Sequence, residues 1–413
     1  MAVVTKRIGL SLGADICWPL VYEEVVRRLN LELPIKQDRV RFEVERVTIE
    51  PFSLSKPKRY DVVLDRLTHW YHTSREWIKK TAVMDGTYVL NNPWSIQAME
   101  KHTTYAAMTR LGLPVPETWM LPPKDYDWTA DLKTTLNRYA RLFDLGAIGK
   151  QIGYPMFMKP YDGGAWVGVS RIDNEEQLRA AYEASGKRVM HLQKAVLPFD
   201  IFVRVLGVGP QTHAMQYDPG APLHLRYVVE PPALSAEELR TLEDMTLTIN
   251  TFFGWDFNSC EALRKDGVFQ PIDFANACPD SQVTSLHVHH PWLVGANLKW
   301  SLFAAATGRR MQSAMDWQPY FDVADKQDLP FAEKLKAYAA IARKRLDAER
   351  FEEFCGTHLA DLERVLWEVY GTEYAHDAIR QKVDALFPAH ELDEFTEHFW
   401  NLIQRWRAQN KPA

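Results

Sequence analysis

The stretch Gly153–Ile172 reads GYPMFMKPYDGGAWVGVSRI, and its pattern predicts a strand, a glycine-containing loop and a returning strand. The apolar run Met156–Met158 is followed directly by Lys159, and Gly163 and Gly164 interrupt the pattern four residues later. Glycines in such a loop let backbone N–H groups approach phosphate oxygens, and a lysine on the adjoining strand supplies a point charge. The stretch therefore indicates a phosphate site, with an ordinary hairpin carrying a surface lysine as the alternative.

The composition of the chain is that of a globular protein, with 46% hydrophobic and 25% charged residues among 413. This length predicts two or three domains. A net charge of -5 argues against a general nucleic-acid or anionic-membrane surface. No apolar run is long enough to span a bilayer and no signal peptide is evident, so a cytoplasmic protein with neither a nucleic-acid nor a membrane partner is expected. Four scattered cysteines without a C-x-x-C pair predict reduced thiols.

The N-terminal third alternates predicted strands with helical patterns. Strands are predicted at Ile8–Leu12, Phe42–Ile49 and Tyr60–Leu64. This alternation predicts a small, mainly parallel sheet with a binding crevice beyond the carboxyl ends of its strands. Asp65 and Arg66 follow the third strand and are candidate substrate contacts, although an ion pair at the strand end is the simpler and favoured interpretation.

The middle and the end of the chain differ in their patterns. Further predicted helices are Ser74–Met84, Ser95–Leu111, Asp131–Leu145, Glu175–Ala184 and Ser235–Phe253, and further strands are Tyr88–Leu90, Val189–Val196, Asp200–Val208, His213–Tyr217, His224–Val229, Asn258–Arg264 and Val268–Phe274. From Trp292 onward only helices are predicted, at Gly295–Thr307, Phe331–Leu346, Phe351–Tyr370, Asp377–Leu386 and Leu392–Ala408. The helical spacing of apolar residues in this tail predicts a packed core or a homodimer seam.

The order of these parts resembles the ATP-grasp superfamily, which includes D-alanine:D-alanine ligase, glutathione synthetase and the ribosomal-protein glutamate ligases. The resemblance covers Gly9–Ser285 and implies an α/β (α+β) ATP-grasp fold with an N-terminal Rossmann-like domain, while the all-helical C-terminal extension lies outside it. It is carried by Asn91-Asn92-Pro93 before a helix with Lys101, by Gly112–Thr118, by the Lys159 strand with its glycine loop, and by a later hairpin with a carboxylate and an asparagine. The domains expected from it are residues 1–92 (pre-ATP-grasp), 93–190 (small lid subdomain), 191–308 (large subdomain with a metal edge) and 309–413 (helical extension).

By position, the resemblance implies an ATP site. The nucleotide-binding residues that it implies are Lys101 and Lys159 on the phosphates, Gly163 and Gly164 in the closing loop, Gln193, Lys194 and Val196 in the hinge strand at the adenine, and Asp200 at the ribose. The family usually has glutamate at the positions of Gln193 and Asp200.

The resemblance also implies a metal edge formed by Glu261, Asp273 and Asn276, which would bind one or two Mg²⁺ ions, or Mn²⁺. In this chain an aspartate replaces the usual glutamate, and one extra residue precedes the asparagine. An acidic strand end followed by a plain turn is the alternative. Arg204 and Arg226 are candidates for neutralising an acyl phosphate or are ordinary strand-face charges, and the implied catalytic residues are Arg204, Asp273 and Asn276.

The implied activity is an ATP-dependent ligase that joins a carboxylate to an amine, with small-molecule or peptide substrates. ATP would phosphorylate the carboxylate, the amine would attack the acyl phosphate, and ADP and phosphate would leave. An ATP-binding regulatory or scaffold protein that keeps the fold is the alternative. A zinc site formed by Cys278 with His287, His289 and His290 is disfavoured, because their spacing matches no usual structural zinc pattern.

Overall fold

The computed structural model describes residues 2–57, 60–67, 71–95, 101–162, 167–276, 278–312 and 314–412. The predicted loop residues Gly163 and Gly164 lie outside these ranges. The chain forms two compact units: unit 1 comprises Met1–Gln97, Phe202–Cys260 and Asn276–Ala413, and unit 2 comprises Ala98–Ile201 and Glu261–Ala275. The division into four domains expected from the sequence stays a prediction. None of the helices in the described ranges is both long and apolar enough to cross a membrane.

The elements have the following bounds. The strands are β1 (Val3–Ser11), β2 (Glu32–Ile35), β3 (Asp38–Arg46), β4 (Val62–Asp65), β5 (Tyr88–Leu90), β6 (Thr118–Leu121), β7 (Met156–Pro160), β8 (Ser170–Ile172), β9 (Met190–Lys194), β10 (Ile201–Val208), β11 (Gln211–Gln216), β12 (Phe257–Lys265) and β13 (Val268–Asp273). The helices are α1 (Cys17–Leu29), α2 (His72–Asp85), α3 (Lys101–Arg110), α4 (Ala130–Tyr139), α5 (Leu145–Ile152), α6 (Glu175–Ser185), α7 (Ala236–Phe253), α8 (Val283–Leu286), α9 (His290–Thr307), α10 (Gln318–Ala324), α11 (Phe331–Leu346), α12 (Ala348–His358), α13 (Leu362–Val369), α14 (Glu373–Asp384) and α15 (Leu392–Gln409).

The N-terminal sheet of unit 1 has the strand order β2-β3-β1-β4-β5. Strand β1 pairs in parallel with β3 and β4, β4 pairs in parallel with β5, and only β2 is antiparallel to its neighbour. The alternation in β4 sends Val62 and Leu64 into one core cluster and Val63 into another on the opposite face, where α2 contributes Trp77 and Ile78. The mainly parallel sheet predicted from the sequence is thus confirmed, with apolar cover on both faces.

The helical C-terminal region is present as predicted, and it is part of the core of unit 1. Helices α9, α13 and α14 pack against α1, and α9 also contacts β1 and β4. Buried residues from both ends of the chain share one cluster, including Ile8 and Val21 with Leu298 and Leu366. The hydroxyl groups of Tyr22 and Ser301 are 2.6 Å apart inside this cluster. The apolar spacing of the tail therefore reflects packing within the chain, as the first of the two interpretations predicts.

Strands β10 and β11 of unit 1 form an antiparallel pair, and α7 packs against β11. Strands β10 and β11 pair over Val203–Val208 and Gln211–Gln216. Helix α7 begins with a capping box, in which Ser235 and Glu238 satisfy each other's backbone N–H groups. Its second half is buried, and α11 packs along it.

Unit 2 is built on an antiparallel sheet of order β6-β9-β7-β8. Helices α5 and α6 cover one face, where Met156 and Met158 of β7 and Leu192 of β9 are buried with Leu178 of α6. The last part of β12 pairs with β13 in the same unit, with Glu261 opposite Asp273. The predicted Lys265-Asp266-Gly267 turn joins them, and Asp266 and Gly267 both have positive φ, as a tight hairpin turn requires.

Several predicted elements need correction. The segment His224–Val229 is not a strand, because a 3-10 turn covers Leu223–Leu225 and only the single bridge between Tyr217 and Tyr227 follows it. The helix predicted over residues 131–145 is two helices: α4 buries no residue, and Asp144 begins α5 by accepting from the N–H of Ala147 at 3.1 Å. The helix predicted over residues 351–370 is likewise two helices, α12 and α13.

Candidate active site

The face of the unit 2 sheet that is not covered by α5 and α6 carries the polar side chains. Because side chains alternate along a strand, burial of Met156 and Met158 directs Lys159 to the opposite face. In the neighbouring β9, Leu192 packs inward while His191 and Gln193 share the face of Lys159. The two-residue alternation of side chains in a strand is therefore enough to place these three polar residues on one surface.

The ammonium group of Lys159 is held in place by oxygen acceptors. It donates to Oε1 of Gln193 at 2.8 Å and lies 3.5 Å from the carbonyl oxygen of Ile272. The Gln193 amide in turn donates to Thr118 Oγ1 at 3.1 Å. Burial lowers the pKa of Lys159 to about 8, while the charges of Asp273 and Glu261 oppose this shift. A lysine oriented by neutral acceptors keeps its positive charge available to an anion.

A second lysine meets a carboxylate on the same side of unit 2. Lys101, at the start of α3, donates to Asp273 Oδ2 at 2.6 Å, and its side chain is 9% exposed. Tyr105, one turn further along α3, donates its hydroxyl hydrogen to the carbonyl oxygen of Ile272 at 2.7 Å. The two contacts attach α3 to the end of β13. The structure thus brings together Lys101, Lys159 and Asp273, which the sequence analysis assigned to the phosphates and the metal.

Sequence reasoning missed a buried histidine in this surface. His191 is 0% exposed, and the rings of His102 and Tyr105 contact it edge-on at centroid distances of 5.2 and 5.5 Å. Neither of its ring nitrogens has a hydrogen-bond partner among the described residues. Burial, with Lys159 nearby, lowers the pKa of His191 to about 2, so the ring is neutral at pH 7. Its position two residues before Gln193 predicts that the two side chains share a face, but not that the histidine ring is buried.

The two carboxylates of the predicted metal edge lie on paired strands. Glu261 of β12 is opposite Asp273 of β13, and the register shifts between Glu261 and Ala262. A bulge at such a point redirects the adjacent side chain and ends regular pairing. Two carboxylates on neighbouring strands are the hard oxygen donors that Mg²⁺ prefers, and a triphosphate would supply further oxygen ligands. The residues present therefore fit a magnesium–nucleotide site, and their role as ligands stays a prediction.

The other predicted nucleotide residues of unit 2 have mixed surroundings. Asp200 directly precedes β10, and the Arg264 guanidinium donates to both of its carboxylate oxygens, with a shortest distance of 2.9 Å. These hydrogen bonds lower the pKa of Asp200. The side chain of Lys194 is exposed, whereas Val196 is buried. The hinge and ribose roles of these residues stay predictions.

Asn276, Arg204 and Arg226 belong to unit 1. Asn276 donates two hydrogen bonds. Its backbone N–H donates to Asn258 Oδ1 at 2.8 Å, and its side-chain amide donates to the Ser259 carbonyl oxygen at 3.3 Å. Arg204 on β10 donates to the Tyr227 hydroxyl and to Ser259 Oγ. Arg226 is not on a strand, and its Nε donates to the carbonyl oxygen of Ala221 at 3.0 Å. The catalytic roles assigned to Asn276 and Arg204 stay predictions.

The predicted substrate contacts at the end of β4 form a buried polar cluster in unit 1. Arg66 pairs with Asp15 at 3.3 Å and donates to the Pro279 carbonyl at 2.8 Å. Asp65 accepts from Ser11 Oγ at 3.2 Å. The Arg66 guanidinium lowers the pKa of Asp15 against the effect of burial. Arg66 therefore forms an ion pair at the strand end, as the alternative interpretation predicts. A substrate contact by Asp65 or Arg66 stays a prediction.

The histidines near residue 290 pair with one another and with the backbone. His213 Nε2 and His289 Nδ1 are 2.9 Å apart, and His289 Nε2 is 2.8 Å from the Val228 carbonyl oxygen. The thiol of Cys278 points to the Asp65 carbonyl oxygen. No group of three histidine, cysteine or acidic residues among the residues that the structure describes is arranged to hold a metal ion.

Comparison with known proteins gives short sequence matches and similar folds. No family model matches the chain. It is 39% identical over 66 residues to D-alanine–D-alanine ligase A of Chromobacterium violaceum. This match covers 16% of this chain and 18% of the ligase. It is 32% identical over 95 residues to D-alanine–D-alanine ligase of Bifidobacterium adolescentis, covering 22% and 24% of the two chains. The chain thus spans less than a quarter of the length of these relatives.

Among solved structures, a RimK domain ATP-grasp protein from Sphaerobacter thermophilus is similar to 72% of this chain over 99% of its own length. The TM-score is 0.49 and the sequence identity is 14%. The resemblance to the ATP-grasp superfamily predicted from the sequence is confirmed by the local matches to D-alanine ligases.

Proposed function

We propose that the protein is an ATP-dependent ligase that joins a carboxylate to an amine and releases ADP and phosphate. The observation that carries this proposal is the convergence in unit 2 of Lys101, Lys159 and Asp273, which are far apart in the sequence. Two cations for a polyphosphate and a carboxylate for its metal are the groups that phosphoryl transfer requires. The similarity to D-alanine ligases over short stretches supports the same reaction class.

The residues of the site would act mainly by charge and position. Lys101 and Lys159 would stabilise the negative charge that spreads over the transferred phosphoryl group. Gln193, held by Thr118, would keep the Lys159 ammonium in place. Asp273 and Glu261 would hold Mg²⁺, which when bound supplies positive charge to the phosphate oxygens. Because Lys101 is paired with Asp273 in the structure, both groups would have to rearrange when nucleotide and metal bind.

The proposed reaction has two balanced steps. A carboxylate oxygen of the first substrate attacks the γ-phosphorus of ATP, and ADP leaves with the electron pair of the broken P–O bond. The amine of the second substrate then attacks the acyl carbon, and inorganic phosphate leaves with the former carboxylate oxygen while the amine loses a proton. No side-chain nucleophile is needed, so the protein would contribute orientation of the two substrates and electrostatic stabilisation.

The test uses purified full-length protein with ATP and Mg²⁺ against a matrix of carboxylic acids and amines, including amino acids. ADP release should require both substrates. With the active pair, ¹⁸O placed in the carboxylate should appear in the released phosphate, because that oxygen leaves with the phosphoryl group. Asp273→Asn should be inactive, and Asp131→Asn, which changes an exposed carboxylate on α4, should retain the wild-type rate.

Two results would contradict the proposal. Transfer of ¹⁸O to AMP would indicate an adenylate rather than an acyl phosphate. ATP binding without turnover for any substrate pair would favour an ATP-binding regulatory or scaffold protein. The ion pair between Asp200 and Arg264 favours this second function. Asp200 is the residue expected to bind the ribose, and in the structure its carboxylate is already bound by Arg264.

A further inference from the structure

A cavity of about 340 Å³ is lined by residues of unit 1, and none of the described residues assigned above to the ligase site is among them. It is bounded by the C-terminal ends of α7, α9 and α11, by the loop after α9 and by the start of α12. Its size is within the range of small-molecule sites, which is roughly 300–1,000 Å³. Trp255 and Tyr88 are among its lining residues, but only 1% and 3% of their surfaces are exposed, so the accessible lining is mainly polar.

The charged lining of this cavity is dominated by arginine. Four arginines and two aspartates line it: Arg309, Arg310, Arg345, Arg350, Asp256 and Asp347. The excess of two positive charges is local, because the whole chain has a net charge of -5. The three helix C-termini each add about half a negative charge and the N-terminus of α12 about half a positive one. The cavity remains positive by roughly one charge after this correction.

Two of the arginines serve the fold. Arg309 donates to the Arg345 carbonyl oxygen at 2.6 Å and to the Tyr88 hydroxyl at 3.1 Å. Arg345 donates to the carbonyl oxygens of Thr251 and Asp316. Arg345 and Thr251 lie in the last turns of α11 and α7, where carbonyl groups lack partners within the helix. These contacts explain Arg309 and Arg345 without a ligand.

The other two arginines have no such role. Arg310 is exposed and forms no hydrogen bond or ion pair with any residue in the described ranges. Arg350 is 54% exposed, and its recorded partner is Asp347 at 3.4 Å. The two hydrogen bonds of the Arg309 guanidinium described above come from Nε and Nη2, not from Nη1. Arg310 makes no such contact among the described residues, and the contact of Arg350 with Asp347 is long and exposed, while both side chains line the same cavity. Two guanidinium groups in one positively charged cavity match the requirements of a phosphate monoester or polyphosphate.

We propose that this cavity is a second ligand site, which binds a small phosphorylated molecule through Arg310 and Arg350. The site does not depend on the ligase function proposed above, because its lining includes no residue of unit 2 that the structure describes. Arg309 and Arg345 add positive charge to its lining.

The experiment is calorimetric titration of the full chain with inorganic pyrophosphate at constant ionic strength. Arg310→Ala/Arg350→Ala should weaken the cavity binding about tenfold or more, since it removes two charge-assisted contacts. Arg240→Ala/Lys326→Ala is the matched control, because it removes two exposed cations that do not line the cavity. This control should bind as the wild type does. Circular dichroism and thermal melting check that both double variants are folded.

Pyrophosphate can also bind at the nucleotide lysines, so the titrations are repeated in a Lys159→Ala background. Survival of the arginine-dependent binding in this background supports the cavity. Binding that is lost with Lys159→Ala but unchanged in Arg310→Ala/Arg350→Ala would place the anion in unit 2 and overturn the inference, while leaving the proposed function intact. If Arg240→Ala/Lys326→Ala weakened pyrophosphate binding as much as Arg310→Ala/Arg350→Ala, the binding would depend only on the overall charge of the protein. This result would also overturn the inference.

Discussion

Replacement of Asp273 by asparagine tests the candidate active site most sharply, because the proposal predicts a decrease in two measurements and an increase in a third. The variant keeps the shape of the side chain and an oxygen that accepts from Lys101, but removes the negative charge. Stability of the ligand-free protein should fall, magnesium-dependent turnover should disappear, and affinity for ATP without metal should rise. A simple ion pair at a strand end predicts only the first of these effects.

The magnitude follows from the geometry of the Lys101–Asp273 pair. At 2.6 Å the Coulomb attraction is about 6 kcal/mol for an effective dielectric constant of about 20. Breaking a fully buried pair costs about 3–5 kcal/mol. The Asp273 side chain is 24% exposed and the asparagine oxygen still accepts a hydrogen bond, so we expect a loss of about 1–3 kcal/mol.

The increase in ATP affinity has a separate origin. In the wild type, Lys101 must leave the Asp273 carboxylate before it can contact a phosphate, and that carboxylate repels the incoming anion. In the variant the repulsion disappears, and the hydrogen bond that Lys101 must leave is weaker because its acceptor is neutral. We expect metal-free ATP to bind up to about tenfold more tightly, which corresponds to about 1.4 kcal/mol.

The assays are urea unfolding for stability, calorimetry with ATP in EDTA for affinity, and ADP release with Mg²⁺ for turnover. Asp131→Asn serves as the control, because Asp131 is an exposed carboxylate of the same unit. An Asp273→Asn protein that unfolds at the wild-type urea concentration, binds metal-free ATP with the wild-type affinity and turns over normally would refute the assignment of Asp273 and Lys101.

Three further predictions address the nucleotide lysine, the tail and a buried acid. Lys159→Ala should weaken ATP binding by about 1.5–3 kcal/mol in calorimetry, whereas Lys150→Ala, which removes an exposed lysine of α5, should not; equal affinities for both would contradict the phosphate role. A chain cut after Tyr320 should be insoluble or molten by circular dichroism and near-ultraviolet spectra, since α11–α15 cover apolar surface of unit 1; a monodisperse, fully active fragment would show that they form an accessory domain. Burial raises the pKa of Asp256 to about 6 from its ordinary 3.8, so its neutral form favours folding below pH 4 and this contribution is lost as pH rises through 6. Asp256→Asn should therefore gain stability relative to the wild type between pH 4 and pH 7, by at most about 3 kcal/mol in urea unfolding, and a pH-independent difference would contradict this.

Local periodicity was sufficient to predict the strand with Lys159. The pattern of Met156, Met158 and Lys159 fixes the face of each side chain once one face is buried, and the structure confirms that face. The same rule places His191 beside Gln193, yet a histidine two residues away carries no sequence signal that distinguishes a buried ring from a surface one. Its burial results from His102 and Tyr105, which α3 brings to it.

Long-range pairing was beyond local reasoning. Lys101 and Asp273 are 172 residues apart, and only the resemblance to a family placed them in one site. Strand β2 was missed because Pro34 argues against a strand, although a proline is tolerated at a sheet edge, where β2 lies. The break between α4 and α5 was missed because helical propensity continues through it, whereas the Asp144 cap starts a new helix.

The packing of the tail against the N-terminal sheet affects how the protein can be synthesised. Strand β1 ends at Ser11, and helix α9, which covers it, begins at His290, 279 residues later. At about 5–20 residues per second, a ribosome needs roughly 14–56 s to add them. For that time Ile8 and Leu10 lack the cover that they have in the folded chain. A holding chaperone is therefore expected to bind the nascent chain near β1 and to dissociate only after the tail has emerged.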